Sequence, residues 1–136
     1  MLNTSLWIAQ TFVAVVMVLA GLMKLSRSRE QLAERFHWAA SWPRWRIKLL
    51  GLAEVAGAIG LVAPVATGIA PFLTPLAAAC LCILMIGAAR THRQLGESFV
   101  FPVVVAVLCV VVAGGRIAEH EAAGSAIVAR VAREPL

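Results

Sequence analysis

The chain is 136 residues long, 61% hydrophobic and only 14% charged, with a formal charge of +5 and a mean hydropathy of +0.88. An ordinary soluble domain is about half apolar and about a quarter charged, so this composition excludes that class and makes the bilayer the natural solvent. The basic excess would suggest nucleic acid in a soluble protein, but here the basic residues flank apolar runs, so no nucleic-acid partner is expected.

Crossing the hydrocarbon takes about 20 apolar residues. The first run that meets this is 6–25. It lacks a basic leader and is longer than a signal-peptide core, so it reads as a retained span. Trp7 marks its outer interface, Gln10 stands in its outer half and Lys24 near its inner end.

Residues 26–46, SRSREQLAERFHWAASWPRWR, are more than a loop. Ser28 and Gln31 have capping-box spacing, and Leu32, Phe36, Ala39 and Ala40 recur at helical intervals. A short interfacial helix over about 28–40 follows, ended by Pro43 and anchored by Trp38, Trp42 and Trp45. Such a helix is either a plain interfacial anchor or a lid or docking surface.

The second span, 47–66, holds a carboxylate, Glu54, in the stretch GLAEVAGAIGLVAP. A mid-span charge costs roughly 2.5–3.5 kcal/mol, while each Leu, Ile or Val contributes about 0.3–0.6. The apolar residues of this span supply around 4 kcal/mol, so Glu54 removes most of the gain. Span two therefore depends on its neighbours. Gly51, Glu54, Gly57 and Ala58 share one helical face, and with Gly60 they give the small side chains that let helices approach. That face should turn inward, carrying the carboxylate into the bundle about 10 Å from the edge near Ile47.

After the tight connection PVATGIAP, span three covers 70–89, with Pro71 and Pro75 in its first turns. It ends at Arg90 and His92. Glu97 then precedes span four, 99–115, as a solvated residue near its start. Cys80 and Cys82 point to nearly opposite helix faces, and Cys109 lies in span four. They read as small apolar filler, with no disulfide framework and no metal site. The tail, 117–136, is Ala-rich, with a short amphipathic helix near Ile127, Val128 and Val131.

Four spans on short connections make an all-α, membrane-spanning antiparallel four-helix bundle, with one integral membrane domain over residues 1–136. Nine basic residues flank one side, Lys24, Arg27, Arg29, Arg35, Arg44, Arg46, Lys48, Arg90 and Arg93, against Arg116, Arg130 and Arg133 on the other. The positive-inside rule puts the first set in the cytoplasm and both termini outside. This topology gathers Lys24, Glu54, Arg90, His92 and Glu97 toward one end. An ionisable residue inside a span is a functional-site candidate, with Glu54 first among these. A structural ion pair is the alternative for Glu54, snorkelling for Lys24, ordinary interface placement for Arg90 and His92, and helix–helix hydrogen bonding for Gln10.

The segments AGLMKL (20–25), EVAGAIGL (54–61), LTPL (73–76), THRQLGE (91–97) and GR (115–116), in this order and spacing, resemble the DoxX-like family. The resemblance covers nearly all the chain up to Arg116. It implies a bacterial four-helix protein of the cytoplasmic membrane. Some relatives are linked to thiosulfate:quinone oxidoreduction or to membrane oxidoreductase complexes in oxidative stress. The resemblance thus suggests a quinone or lipid-like ligand, and it assigns no catalytic residue. The abundance of Arg and Ala also fits a GC-rich bacterial genome.

Two functional readings follow. The first is a small membrane subunit or binding module for a quinone-like or lipidic ligand near Lys24, Glu54 and His92. A quinone carbonyl needs a hydrogen-bond donor in an apolar slot, which a buried acid with a nearby base can serve. The chain has no cofactor motif of its own, neither haem nor flavin nor iron–sulfur, so redox chemistry would draw on a partner protein. The second is a proton-coupled transporter of lipophilic compounds using Glu54. Small multidrug transporters carry their membrane glutamate in the first span with little charge bias, unlike this chain. A four-span thiol–quinone reductase is excluded by the lack of a C-x-x-C pair. A ligand-free scaffold and a homo-oligomer stay open.

Overall fold

The structure, a computed structural model, describes residues 1–133; the last three residues of the expected tail lie outside the described residues. Six helices follow in order: α1 (Leu2–Ser26), α2 (Arg29–Ala33), α3 (His37–Ser41), α4 (Arg44–Thr67), α5 (Leu73–Gln94) and α6 (Val100–Val131). No strand occurs among the described residues. The long helices α1, α4, α5 and α6 are each apolar and long enough to cross a membrane. They form an antiparallel ring in which α1 packs on α4, α4 on α5, α5 on α6 and α6 on α1. The end of the ring that carries Lys24, α2 and α3 is called the basic end below.

The pattern of burial is that of a protein dissolved in lipid. Gln10, Lys24, Glu54, Thr74 and Arg116 are buried, while Ile8, Phe12, Val15, Leu19 and Leu22 of α1 are exposed. On α1 the inward residues are Leu6, Gln10, Val13, Ala14, Met17, Gly21 and Lys24, the three-to-four spacing of one helical face. The central core adds Ala58 and Leu61 from α4, Ala78, Leu81 and Met85 from α5, and Val105, Cys109 and Val112 from α6. Exposed apolar surface on this scale is stable only against acyl chains. The protein is an integral membrane protein.

Helices α1 and α4 approach each other backbone to backbone. A Cβ on Gly21 would lie 2.7 Å from the Gly51 carbonyl oxygen, and one on Gly51 would lie 2.9 Å from the Gly21 oxygen. Gly57 and Gly60 of α4 do the same work on the other flank, against Leu81 and Ala77 of α5. The helix that carries the buried carboxylate is therefore held by small residues on two sides.

Three elements differ from the sequence expectation. The segment after α1 is two short helices in place of one helix over 28–40. Its expected capping box forms, with Gln31 N–H donating to Ser28 Oγ at 3.2 Å and Ser28 N–H to Gln31 Oε1 at 3.0 Å. The helix then breaks at Phe36, whose backbone is extended. On an unbroken helix Trp38 would face away from Leu32 and Ala39. The break buries all three together with Ile47. Pro64, where the expected span 47–66 overlaps the outer connection, is buried within α4, which runs on past residue 66 to a left-handed cap at Gly68. Finally, α6 does not stop near Gly115. It continues through the Ala-rich tail to Val131, about 48 Å in all, so its last turns extend beyond the bundle.

Candidate functional site

Lys24 and Glu54 form a buried ion pair in the half of the bundle near the basic end. Lys24 Nζ lies 2.9 Å and 2.7 Å from the two carboxylate oxygens. The residues are 7% and 2% exposed, so little solvent screens the pair. Helix geometry explains how they meet. Lys24 is three residues past Gly21, and Glu54 three past Gly51, on helices that run in opposite directions. Side chains on a helix lean toward its N-terminus. Both therefore lean back toward the glycine contact, and the long lysine closes the remaining gap. Lys24 also sits 5.8 Å from the Trp38 ring centroid, in cation–π range.

Lys48 secures the same corner from behind. Its ammonium donates to the Lys24 and Arg27 carbonyls at 3.0 Å each and also to Leu25, capping the end of α1 from the start of α4. The sequence had given Lys48 only a place among the flanking charges.

In front of the pair lies a cavity of about 570 Å³, within the range of small-molecule sites. Met17, Met23 and Met85 provide adaptable apolar surface, and Phe36, Trp38, Trp42 and Phe101 supply aromatic walls. The polar groups facing it are few: Lys24, Glu54, Thr91, His92 and Ser98. Lys24 spends two of its three N–H donors on Glu54, so one remains without a protein acceptor among the described residues. Trp38 and Trp42 thus turn inward to the cavity, while Trp45 stays exposed, 5.2 Å from the Arg46 guanidinium.

Glu97 joins two histidines across the mouth of this region. His92 Nδ1 is 2.7 Å from Glu97 Oε2, and His37 Nδ1 is 2.8 Å from Oε1. The His37 backbone N–H adds a contact to Oε1 at 3.3 Å. These bonds, that from the His37 ring foremost, hold the Glu97 carboxyl below its ordinary pKa. They tie α3 to the α5–α6 connection, so Phe36, Trp38 and Trp42 are held over the cavity as a roof. Arg29 braces the roof by donating to the carbonyls of Ala39 (3.4 Å) and Ala40. His37 was not singled out by the sequence, because its partner lies 60 positions away.

Arg90 is not part of this cluster. It is exposed on the other side of α5 and faces the groove between α5 and α6. Gln10 lies at the opposite end of the bundle. It accepts from Arg116 Nε at 2.9 Å, while Arg116 Nη1 donates to Asn3 at 2.8 Å and Glu119 at 2.7 Å. The Arg116 guanidinium is 5.1 Å from the Trp7 ring centroid, and Leu6 packs on Gly115 beside it. Arg116 thus clasps α1 to α6. The sequence counted it as a flanking charge, although its spacing from Val105, Cys109 and Val112 put it on the inward face.

A four-span helical bundle with a roofed, mostly apolar cavity beside a buried ion pair defines a small multi-pass membrane protein. The chain belongs to the DoxX-like family, whose profile matches residues 8–114. The match takes in Lys24, Glu54, His37, His92 and Glu97 and stops short of Arg116 and the extension of α6. No curated protein and no solved structure matches the chain.

Proposed function

We propose that the protein is a membrane-embedded binding module for a quinone-like or lipidic molecule, working beside a redox partner protein. The carrying observation is the Lys24–Glu54 pair set in the wall of an otherwise apolar cavity. A buried pair adds little net stability over apolar residues of the same volume. A ligand gives it a use: the remaining Lys24 donor meets a carbonyl oxygen, and Glu54 keeps the ammonium charged and aimed. His92, with Nδ1 committed to Glu97, offers Nε2 as a second polar contact. The basic end faces the cytoplasm of a bacterial cell on this reading, following the bias of basic residues.

Trp38 and Trp42 provide the test, since quinones quench indole fluorescence. Purified protein titrated with a short-tailed benzoquinone should show saturable quenching, lost in Lys24→Met and weakened about tenfold or more in Glu54→Gln. Extracts of gently purified protein should contain a quinone or lipid in fixed proportion. Quenching that follows only partition into detergent, with no such molecule in the extract, would defeat the proposal. The transporter reading relies on the same carboxylate. It gains support only if cells with Glu54→Gln lose resistance to lipophilic cations.

A further inference from the structure

A second concavity lies on the lipid-facing side of the bundle, between α5 and α6, with a volume of about 390 Å³. Its floor is made of small, half-buried residues, Ala89 and Ala106, and its walls of exposed ones, among them Ile86, Val103 and Val107. Arg90 and Arg93 line its end in the last turns of α5. They are three residues apart and so share a helix face. Both are exposed, and neither side chain has an ion-pair or hydrogen-bond partner among the described residues. No acidic residue lines the groove.

We propose that this groove binds an anionic phospholipid, with one acyl chain along α5 and α6 and the phosphate held between Arg90 and Arg93. Three features support this occupant. The apolar lining runs from Phe99 to Val110 on α6, about 16 Å along the axis, which is half of a hydrocarbon core about 30 Å thick and so one leaflet. Guanidinium groups match phosphate oxygens in pairs, and the two arginines stand at the end of the span where headgroups lie. The other basic side chains near this end include several with protein partners: Lys24 with Glu54, Lys48 with the α1 carbonyls and Arg29 with α3. The groove is distinct from the roofed cavity, although Met85 lies in the lining of both. The site does not depend on what the cavity holds.

The test is native mass spectrometry of the full chain in mild detergent with added dioleoyl phosphatidylglycerol or dioleoyl phosphatidylcholine. The wild type should retain phosphatidylglycerol in preference, at one lipid per chain before any further adducts. Arg90→Gln with Arg93→Gln should weaken this about 10- to 30-fold and leave phosphatidylcholine unchanged. Ala106→Phe, which fills the floor without changing charge, should weaken retention of both lipids. The control is Arg27→Gln with Arg44→Gln, two exposed basic residues of the same end that do not line the groove. This pair should keep the preference. Helix content by circular dichroism checks that each variant is folded. Equal losses in the control and the Arg90/Arg93 pair would show a diffuse surface charge effect and overturn the proposal. Undiminished retention in the Arg90/Arg93 pair would do so as well.

Discussion

Gly21 and Gly51 touch backbone to backbone, each carbonyl oxygen filling the space where the other's Cβ would stand. That contact sets the distance between α1 and α4 and, one turn away on each, the reach from Lys24 to Glu54. Gly51→Ala should therefore disturb both. Its added methyl meets the Gly21 oxygen and the Lys24 and Leu25 side chains. We expect a loss of about 1–3 kcal/mol, the usual cost of overpacking, read as a lower thermal midpoint in detergent. Gly87→Ala, which meets open space, is the control and should be neutral. An unchanged midpoint for Gly51→Ala would mean that the helices are not held this closely.

The ion pair makes a sharper prediction, because stability and binding should separate. Glu54→Ala leaves Lys24 charged and buried, and breaking such a pair costs about 3–5 kcal/mol. Glu54→Gln retains an acceptor for Lys24 and should fold, yet bind about tenfold or more weakly. Replacing both members, Lys24→Met with Glu54→Leu, should recover most of the stability lost in Glu54→Ala. It should still fail to bind the short-tailed quinone. Thermal midpoints and quenching titrations on the same samples decide this. A double variant that binds as the wild type does would remove the pair from the site.

Much of this corner was legible in the sequence. Glu54 stood out as a lone carboxylate in an apolar run, and the glycines on its face said which way it must turn. Lys24 followed from reach alone, since an antiparallel neighbour brings span ends together. The four helices were legible because the hydrophobic runs match the bilayer. Less visible were contacts that depend on tertiary register. Arg116 and His37 look like ordinary interfacial residues until α6 is laid against α1 and α3 against the α5–α6 connection. The break at Phe36 was hidden for a similar reason: local spacing favours a continuous helix, and only the burial of Trp38 overrides it. Arg90 was grouped with Lys24 by its depth, but the rotation of α5 turns it to the opposite side.

The roof should respond to acid. Glu97 is held below its ordinary pKa by its bonds to His37 and His92, so its contribution is complete above the ordinary carboxylate value of 4.5. It fades as pH falls through the lowered value, because protonation removes the carboxylate that both imidazoles bind. Hydrogen exchange over residues 29–41, corrected for the intrinsic pH dependence, should show steady protection above the ordinary carboxylate value of 4.5 and a loss only as pH falls below it. Glu97→Gln should expose the segment already at neutral pH. Protection that is the same in both proteins would leave the roof without its latch.

The Arg116 clasp offers a contrast between charge and shape. Arg116→Ala removes the donors that serve Gln10, Asn3 and Glu119, and hydrogen bonds of a charged group are worth about 1.5–3 kcal/mol. The thermal midpoint should fall, and exchange should rise over residues 2–10 of α1. Arg116→Lys keeps the charge but offers a compact ammonium in place of a planar fork, which cannot reach the three acceptors together. It should recover little of the loss. Because the cavity lies at the other end of the bundle, quinone quenching should survive in both variants at temperatures where they stay folded. Full rescue by lysine would show that Glu119 alone needs a counter-charge there, and that the geometry of the guanidinium is immaterial.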